Sequence, residues 1–134
     1  MRLATIKKDG AEIAGIVTSR GVLPVAALNE AKGTSWKTDM MSLIQAGEIP
    51  AMTSWYNAGG KAELEALPGL VPQEDVVYAP LYRNPKRIFG IGLNYVDHAG
   101  DIGSAAPTGF PGSFFKMADT LIGPDDENKL PTLK

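Results

Sequence analysis

The chain carries a single histidine, His98, and its neighbours decide what that imidazole can do. Asp101 follows three positions later, a spacing that on a turn or short helix puts both side chains on one face. A carboxylate bonded to one ring nitrogen fixes the tautomer and raises the basicity of the other nitrogen, as a water-activating base requires. Ahead of the pair stands Asn94-Tyr95, reached through Gly90-Ile91-Gly92. Further on, Phe114-Phe115-Lys116 offers a cation that could face a substrate carboxylate or a developing enolate. Plainer readings stand beside these. His98 and Asp101 can be an exposed pair in a loop, and Lys116 a strand-end lysine in water.

Gly90-Ile91-Gly92 after an apolar run also invites a phosphate-binding reading, since glycines there let a phosphate approach the backbone. The third glycine of that fingerprint would fall on Tyr95, and no acidic residue sits suitably downstream. A dinucleotide site is therefore not expected.

The elements that must position these residues follow from pattern. Residues 2–8 alternate as a strand, Asp9-Gly10 is a hairpin turn, and a second strand runs about Glu12 to Thr18. Arg20-Gly21 leads into a short strand over Val22–Val25, whose proline suggests a sheet edge. Asp39 is the expected N-cap of a helix from Met40 to Ala46 that Gly47 ends. Pro50 suits a first helical position, with Met52, Trp55 and Tyr56 along one face. Gly59-Gly60 interrupts the pattern before a further short helix from Lys61 to Leu67. Four prolines, Pro68, Pro72, Pro80 and Pro85, mark a connection around a short strand at Asp75–Tyr78. Arg87 to Leu93 is dense enough for a strand buried on both sides. Gly100 to Gly112 reads as a mobile loop, and Phe114–Met117 as another strand. The fold class expected is α+β, an antiparallel meander with helices over residues 1–80, followed by a second unit over residues 81–134.

Composition bounds the function. Hydrophobic residues make up 44% of the 134 and charged residues 21%, the profile of a globular protein. The net charge of −2 and the lack of any basic run argue against nucleic acid and anionic membrane as partners. With no cysteine, a disulfide framework and a thiolate zinc site are excluded. No apolar run approaches the roughly 20 residues needed to span a bilayer. The N-terminus lacks the apolar core of a signal peptide, so a cytoplasmic location is expected.

The string from Pro85 to His98, PKRIFGIGLNYVDH, resembles the opening of the catalytic domain of the fumarylacetoacetate hydrolase family. Phe115-Lys116, Ile122-Gly123-Pro124-Asp125 and Leu130-Pro131 extend the likeness in the same order. Residues 1–80 resemble the small N-terminal domain of many bacterial and fungal members. The resemblance implies a metal-dependent enzyme acting on 2-oxo or 1,3-dioxo acids, by carbon–carbon bond hydrolysis of acylpyruvates, decarboxylation of oxaloacetate, or isomerisation of related acids. A Mg²⁺ or Mn²⁺ ion (or Ca²⁺) would chelate the oxo-acid end and stabilise the enolate. His98 would activate water and Asp101 would orient it. Asn94 and Tyr95 would shape the pocket floor, Lys116 would bind the anionic substrate, and the Gly100–Gly112 loop would close as a lid.

Two departures from the family pattern stand out. Asp101 occupies the position of a usual glutamate, one methylene longer. The family's metal ligands, a Glu-x-Glu pair and a later aspartate, correspond to positions beyond Lys134, and Asp125, Asp126 and Glu127 read as a solvated acidic loop instead. On this resemblance the chain is expected to be the N-terminal portion of such an enzyme, completed by a further segment, a separate polypeptide or a partner copy, and to form homodimers. Residues 81–134 are expected to fold only with that completion. The alternative is a catalytically inactive fragment serving as a binding or dimerisation module.

Overall fold

The computed structural model describes residues 1–128. Leu130 and Pro131, on which the resemblance also draws, lie outside the described residues. The chain divides into two compact units, Met1–Tyr82 with the described residues from Ile122 onward, and Arg83–Leu121.

In the first unit, β1 (Leu3–Lys8) and β2 (Ala11–Val17) pair antiparallel, from Leu3 opposite Ile16 to Lys8 opposite Ala11. Asp9 and Gly10 join them with φ of 49° and 78°. Positive φ at both central residues is the mark of a type I′ turn, whose twist matches that of the flanking strands. β3 (Gly21–Pro24) runs back along β2, and β4 (Val71–Pro72) pairs with Gly21 and Val22, giving the order β1-β2-β3-β4. The edge position expected for β3 is thereby corrected. All four of its residues are buried, and Pro24, which suggested an edge, lies beyond the two residues that β4 covers. Gly21 has to be glycine there, since its φ is 150° and a Cβ would overlap the Val71 carbonyl.

The strand expected at Asp75–Tyr78 shrinks to one antiparallel bridge between Tyr78 and Ile6. It is closed by Lys7 N–H to the Val77 carbonyl at 2.8 Å and Ala79 N–H to the Thr5 carbonyl at 2.9 Å. Residues Gln73–Asp75 form a 3₁₀ turn instead.

Helix α1 (Val25–Lys32) was not anticipated from the pattern, because it follows β3 with no polar N-cap and no acidic residue in its first turn. Val25 and Leu28, three apart, face the core, and Gly33 ends the helix in the left-handed conformation at φ 67°. Helix α2 (Met40–Gln45) starts as expected, with the Asp39 carboxylate accepting the Ser42 N–H at 2.9 Å. Gly47, at φ 67°, closes it. The Glu48 and Gly47 amides reach back to the Leu43 and Ile44 carbonyls in a Schellman pattern. Helix α3 (Ile49–Trp55) carries Pro50 in its first turn. A π turn (Tyr56–Gly60) follows, then α4 (Lys61–Glu63) and a 3₁₀ turn over Leu64–Ala66.

These helices cover one face of the sheet. Ala14, Ile16 and Leu23 from the sheet meet Val25, Leu28, Met40, Leu43, Met52 and Leu64 in one core, with Trp36, Trp55 and Tyr56 packed at its margin. The result is an α+β unit built around an antiparallel four-stranded sheet. In the acidic stretch, Asp125 and Glu127 are exposed as expected, and Asp126 is half-buried. The Asp126 carboxylate accepts the Gly123 N–H at 2.8 Å and pairs with Lys7 at 2.5 Å, which makes it a turn-former.

The Asp39 cap carries a stability prediction. Hydrogen bonding from the Ser42 side chain, and then from its backbone amide, holds the Asp39 carboxyl below its usual value. A depressed folded-state pKa adds stability that is present above the unfolded value and is lost as pH falls through the folded one. Asp39→Ala is expected to cost about 1 kcal/mol at neutral pH. The deficit should begin to shrink as pH falls below the ordinary aspartate range of roughly 4, and go on shrinking until the native carboxylate, held lower, has also protonated. Urea unfolding at several pH values checks this, and a deficit that does not change with pH would count against the charged cap.

The second unit holds β5 (Ile88–Gly92), α5 (Val96–Asp101) and β6 (Gly112–Lys116). β5 and β6 pair antiparallel from Ile88 opposite Lys116 to Gly92 opposite Gly112. The expectation that β5 is buried on both faces is corrected. Phe89 and Ile91 are 59% and 54% exposed, because a two-stranded hairpin has no second layer on that side.

Candidate functional site

All five residues singled out for chemistry sit in the second unit. β5 delivers the chain to them through a bend that the glycines do not supply. Neither Gly90 nor Gly92 takes a positive φ, whereas Leu93 does, at 57°. A non-glycine residue in the left-handed region costs roughly 1–2 kcal/mol, and such strain is often found at functional turns. Nothing in the sequence marked Leu93 for this role. Asn94 beside it is the residue type that ordinarily adopts this conformation.

Tyr95 then occupies the N-cap position of α5 in extended conformation, without a side-chain cap, and is largely exposed together with Asn94. Six residues are too few for a stable isolated helix, and Gly100 weakens it further. Two features hold it. Ala99 is fully buried, and Gly103, at φ 69°, ends the helix with Ser104 N–H bonded to the Ala99 carbonyl at 2.8 Å and Gly103 N–H to the Gly100 carbonyl at 3.0 Å. The helix thus extends into the stretch expected to be loop, while residues 104–111 are irregular.

His98 and Asp101 fall on this helix three residues apart, and both are exposed. Among the described residues, no hydrogen bond or ion pair joins them to each other or to a third group. The helix sets the pair up on one face without closing it. In unliganded sites such contacts are commonly long and tighten when substrate binds.

Lys116 is placed differently. Its backbone pairs with Ile88, at the opposite end of the ladder from Gly92, where the chain leaves for Asn94, Tyr95 and His98. Four residue steps separate the two ends, about 13 Å along the axis. The lysine ammonium lies over the Phe114 ring, 5.7 Å from its centroid, within range of a cation–π contact. Phe114 in turn covers Gly90, where any Cβ would strike the ring. On the other face of the hairpin Phe89 and Phe115 meet edge to face at 5.4 Å. The chain therefore leaves the hairpin toward Asn94, Tyr95, His98 and Asp101 at one end of the ladder, and the Lys116 backbone stands at the other end.

A metal site needs several ligands converging. Among the described residues no three histidine, aspartate or glutamate side chains come together in that way. The described residues do not by themselves make a divalent-cation site. No helix among the described residues is long and apolar enough to cross a membrane. No protein-family model matches the chain, and neither a curated protein nor a solved structure matches it.

Proposed function

We propose that the chain is the N-terminal part of a divalent-metal-dependent enzyme of the fumarylacetoacetate hydrolase type. Its substrates would be 2-oxo or 1,3-dioxo acids, cleaved by hydrolysis of a carbon–carbon bond in acylpyruvates or by decarboxylation of oxaloacetate. One observation carries the reading. β5 leads through a strained Leu93 into a short helix that presents His98 and Asp101 on one exposed face. In this reading His98 takes a proton from water, Asp101 steadies the imidazole, and Asn94 and Tyr95 line the substrate end of the pocket. The ligands for Mg²⁺ or Mn²⁺ would have to come from outside the described residues, in a further segment or another chain.

The test is turnover of oxaloacetate and of an acylpyruvate by the intact gene product, purified from its own host, with Mg²⁺ or Mn²⁺ added and then removed by chelation. Metal-dependent turnover of either compound is expected. Its absence in a preparation shown by mass to carry the complete product would overturn the proposal.

A second reading, an inactive module that dimerises or binds through the second unit, is favoured by the apolar face of Phe89, Ile91 and Phe115, all more than half exposed. Faces of that kind mark interaction surfaces. Lack of turnover together with a mass that rises with concentration would favour it.

A further inference from the structure

The helical kink of the first unit is another place where the fold departs from regular geometry. Gly59, at φ 123°, breaks the helix inside the Tyr56–Gly60 π turn, and Gly60 packs so closely on Trp55 that a Cβ would lie 2.7 Å from the ring. Single π turns recur at functional sites. Beside this one lies a cleft of about 330 Å³, adjoined by a second of about 510 Å³ that shares Tyr56, Lys61 and Glu65 with it. Both volumes lie in the range of small-molecule sites.

The polar groups of the cleft fall into two sets. Glu65 accepts the Ser19 N–H at 3.0 Å and the Ser19 hydroxyl at 2.5 Å. Thr18 donates to the Gly21 carbonyl and accepts the Arg20 N–H, each at 3.1 Å. Those groups satisfy one another. Arg2, Lys61 and the Tyr56 hydroxyl, by contrast, make no side-chain hydrogen bond or ion pair among the described residues. Two cations therefore face one carboxylate that is already engaged, above an apolar floor of Val17 and Leu64.

We infer that this cleft binds a small organic anion, a carboxylate or phosphate on a short apolar body, through Arg2, Lys61 and Tyr56. The guanidinium supplies a planar fork that matches either head group, the ammonium supplies a second charge, and the phenol supplies a neutral donor. The apolar floor takes the body of the ligand. The inference stands apart from the reading of His98, since every residue it uses belongs to the first unit.

Butyrate and ethyl phosphate, which share a short body and differ in head group, are the probes. Each is titrated into the purified chain at constant ionic strength while backbone amide signals are followed by NMR. Saturable shifts are expected at Ser19, Asn57, Gly59 and Lys61, with Kd on the order of 1 mM. Arg2→Gln and Lys61→Gln should each weaken binding about tenfold, as loss of a charge-assisted hydrogen bond does. Both side chains are exposed, so the remaining spectrum should not move. The tighter probe identifies the head group. Shifts that do not saturate by about 50 mM, or affinities unchanged in both variants, would overturn the inference.

Discussion

If the proposed metal-dependent turnover holds, His98→Ala is expected to lower its kcat by about 10²- to 10⁴-fold, the usual contribution of a positioned general base. KM should change little, because the imidazole acts on water and the substrate is bound elsewhere. The exposed position of His98 in the free chain makes the variant structurally mild, so a loss of activity cannot be assigned to unfolding. Asp101 is a positioning residue in this scheme, acting only through His98. Asp101→Asn should therefore lower kcat by a smaller factor, again at unchanged KM. Asp101→Glu should restore most of the loss, because the longer carboxylate spans the same i, i+3 gap on α5 and matches the residue usual in the family the chain resembles. A His98→Ala variant retaining activity within about tenfold would remove the imidazole from the mechanism.

Much of the first unit was legible because its signals are local. Asp9-Gly10 specifies a type I′ turn by backbone freedom alone, and Asp39 caps α2 through a hydrogen bond spanning three residues. Pro50, Gly47 and the kink at Gly59-Gly60 are likewise properties of single positions. What escaped notice depends on distant partners. α1 has no cap to announce it and is held by burial of Val25 and Leu28. Val71-Pro72 is a strand only because Gly21 and Val22 offer an edge, whereas Asp75–Tyr78, with better strand residues, keeps a single bridge to β1.

The second unit divides along the same line. The two strands, expected at Arg87–Leu93 and Phe114–Met117 and found at Ile88–Gly92 and Gly112–Lys116, and the one-face spacing of His98 and Asp101 were legible as pattern, whereas the pairing of the strands was not. The backbone strain was not, because it falls on Leu93 and spares both glycines that invite it. Neither was the placement of Lys116, which follows from register. In an antiparallel hairpin the last residue of β6 must stand opposite the first residue of β5, so a lysine ending β6 is carried away from a helix that follows the end of β5.

Leu43→Ala is expected to destabilise the first unit by about 2–5 kcal/mol. Leu43 is fully buried, and α2, which carries it, has only six residues. A helix that short has little stability of its own and is held by packing, with Met40 and Leu43 as its two buried contacts to the core. Truncation removes the transfer free energy of the side chain and leaves a cavity that Leu28 and Met52, held in their own helices, cannot fully close. Against a total of about 5–15 kcal/mol for a domain, that is a large share, and the melting temperature should fall by roughly 8 °C or more. The adjacent Ile44 is the internal control. It sits on the same helix, is 44% exposed, and its change to alanine should cost well under half as much. Trp36 and Trp55, the only tryptophans in the chain, meet edge to face at 5.9 Å beside this core, so selectively excited tryptophan fluorescence reports the unfolding of this unit alone. Equal losses from Leu43→Ala and Ile44→Ala in urea would mean that α2 does not pack as described. A loss confined to Leu43 would show that the short helix is held by its buried face, the same dependence on packing that α5 has through Ala99.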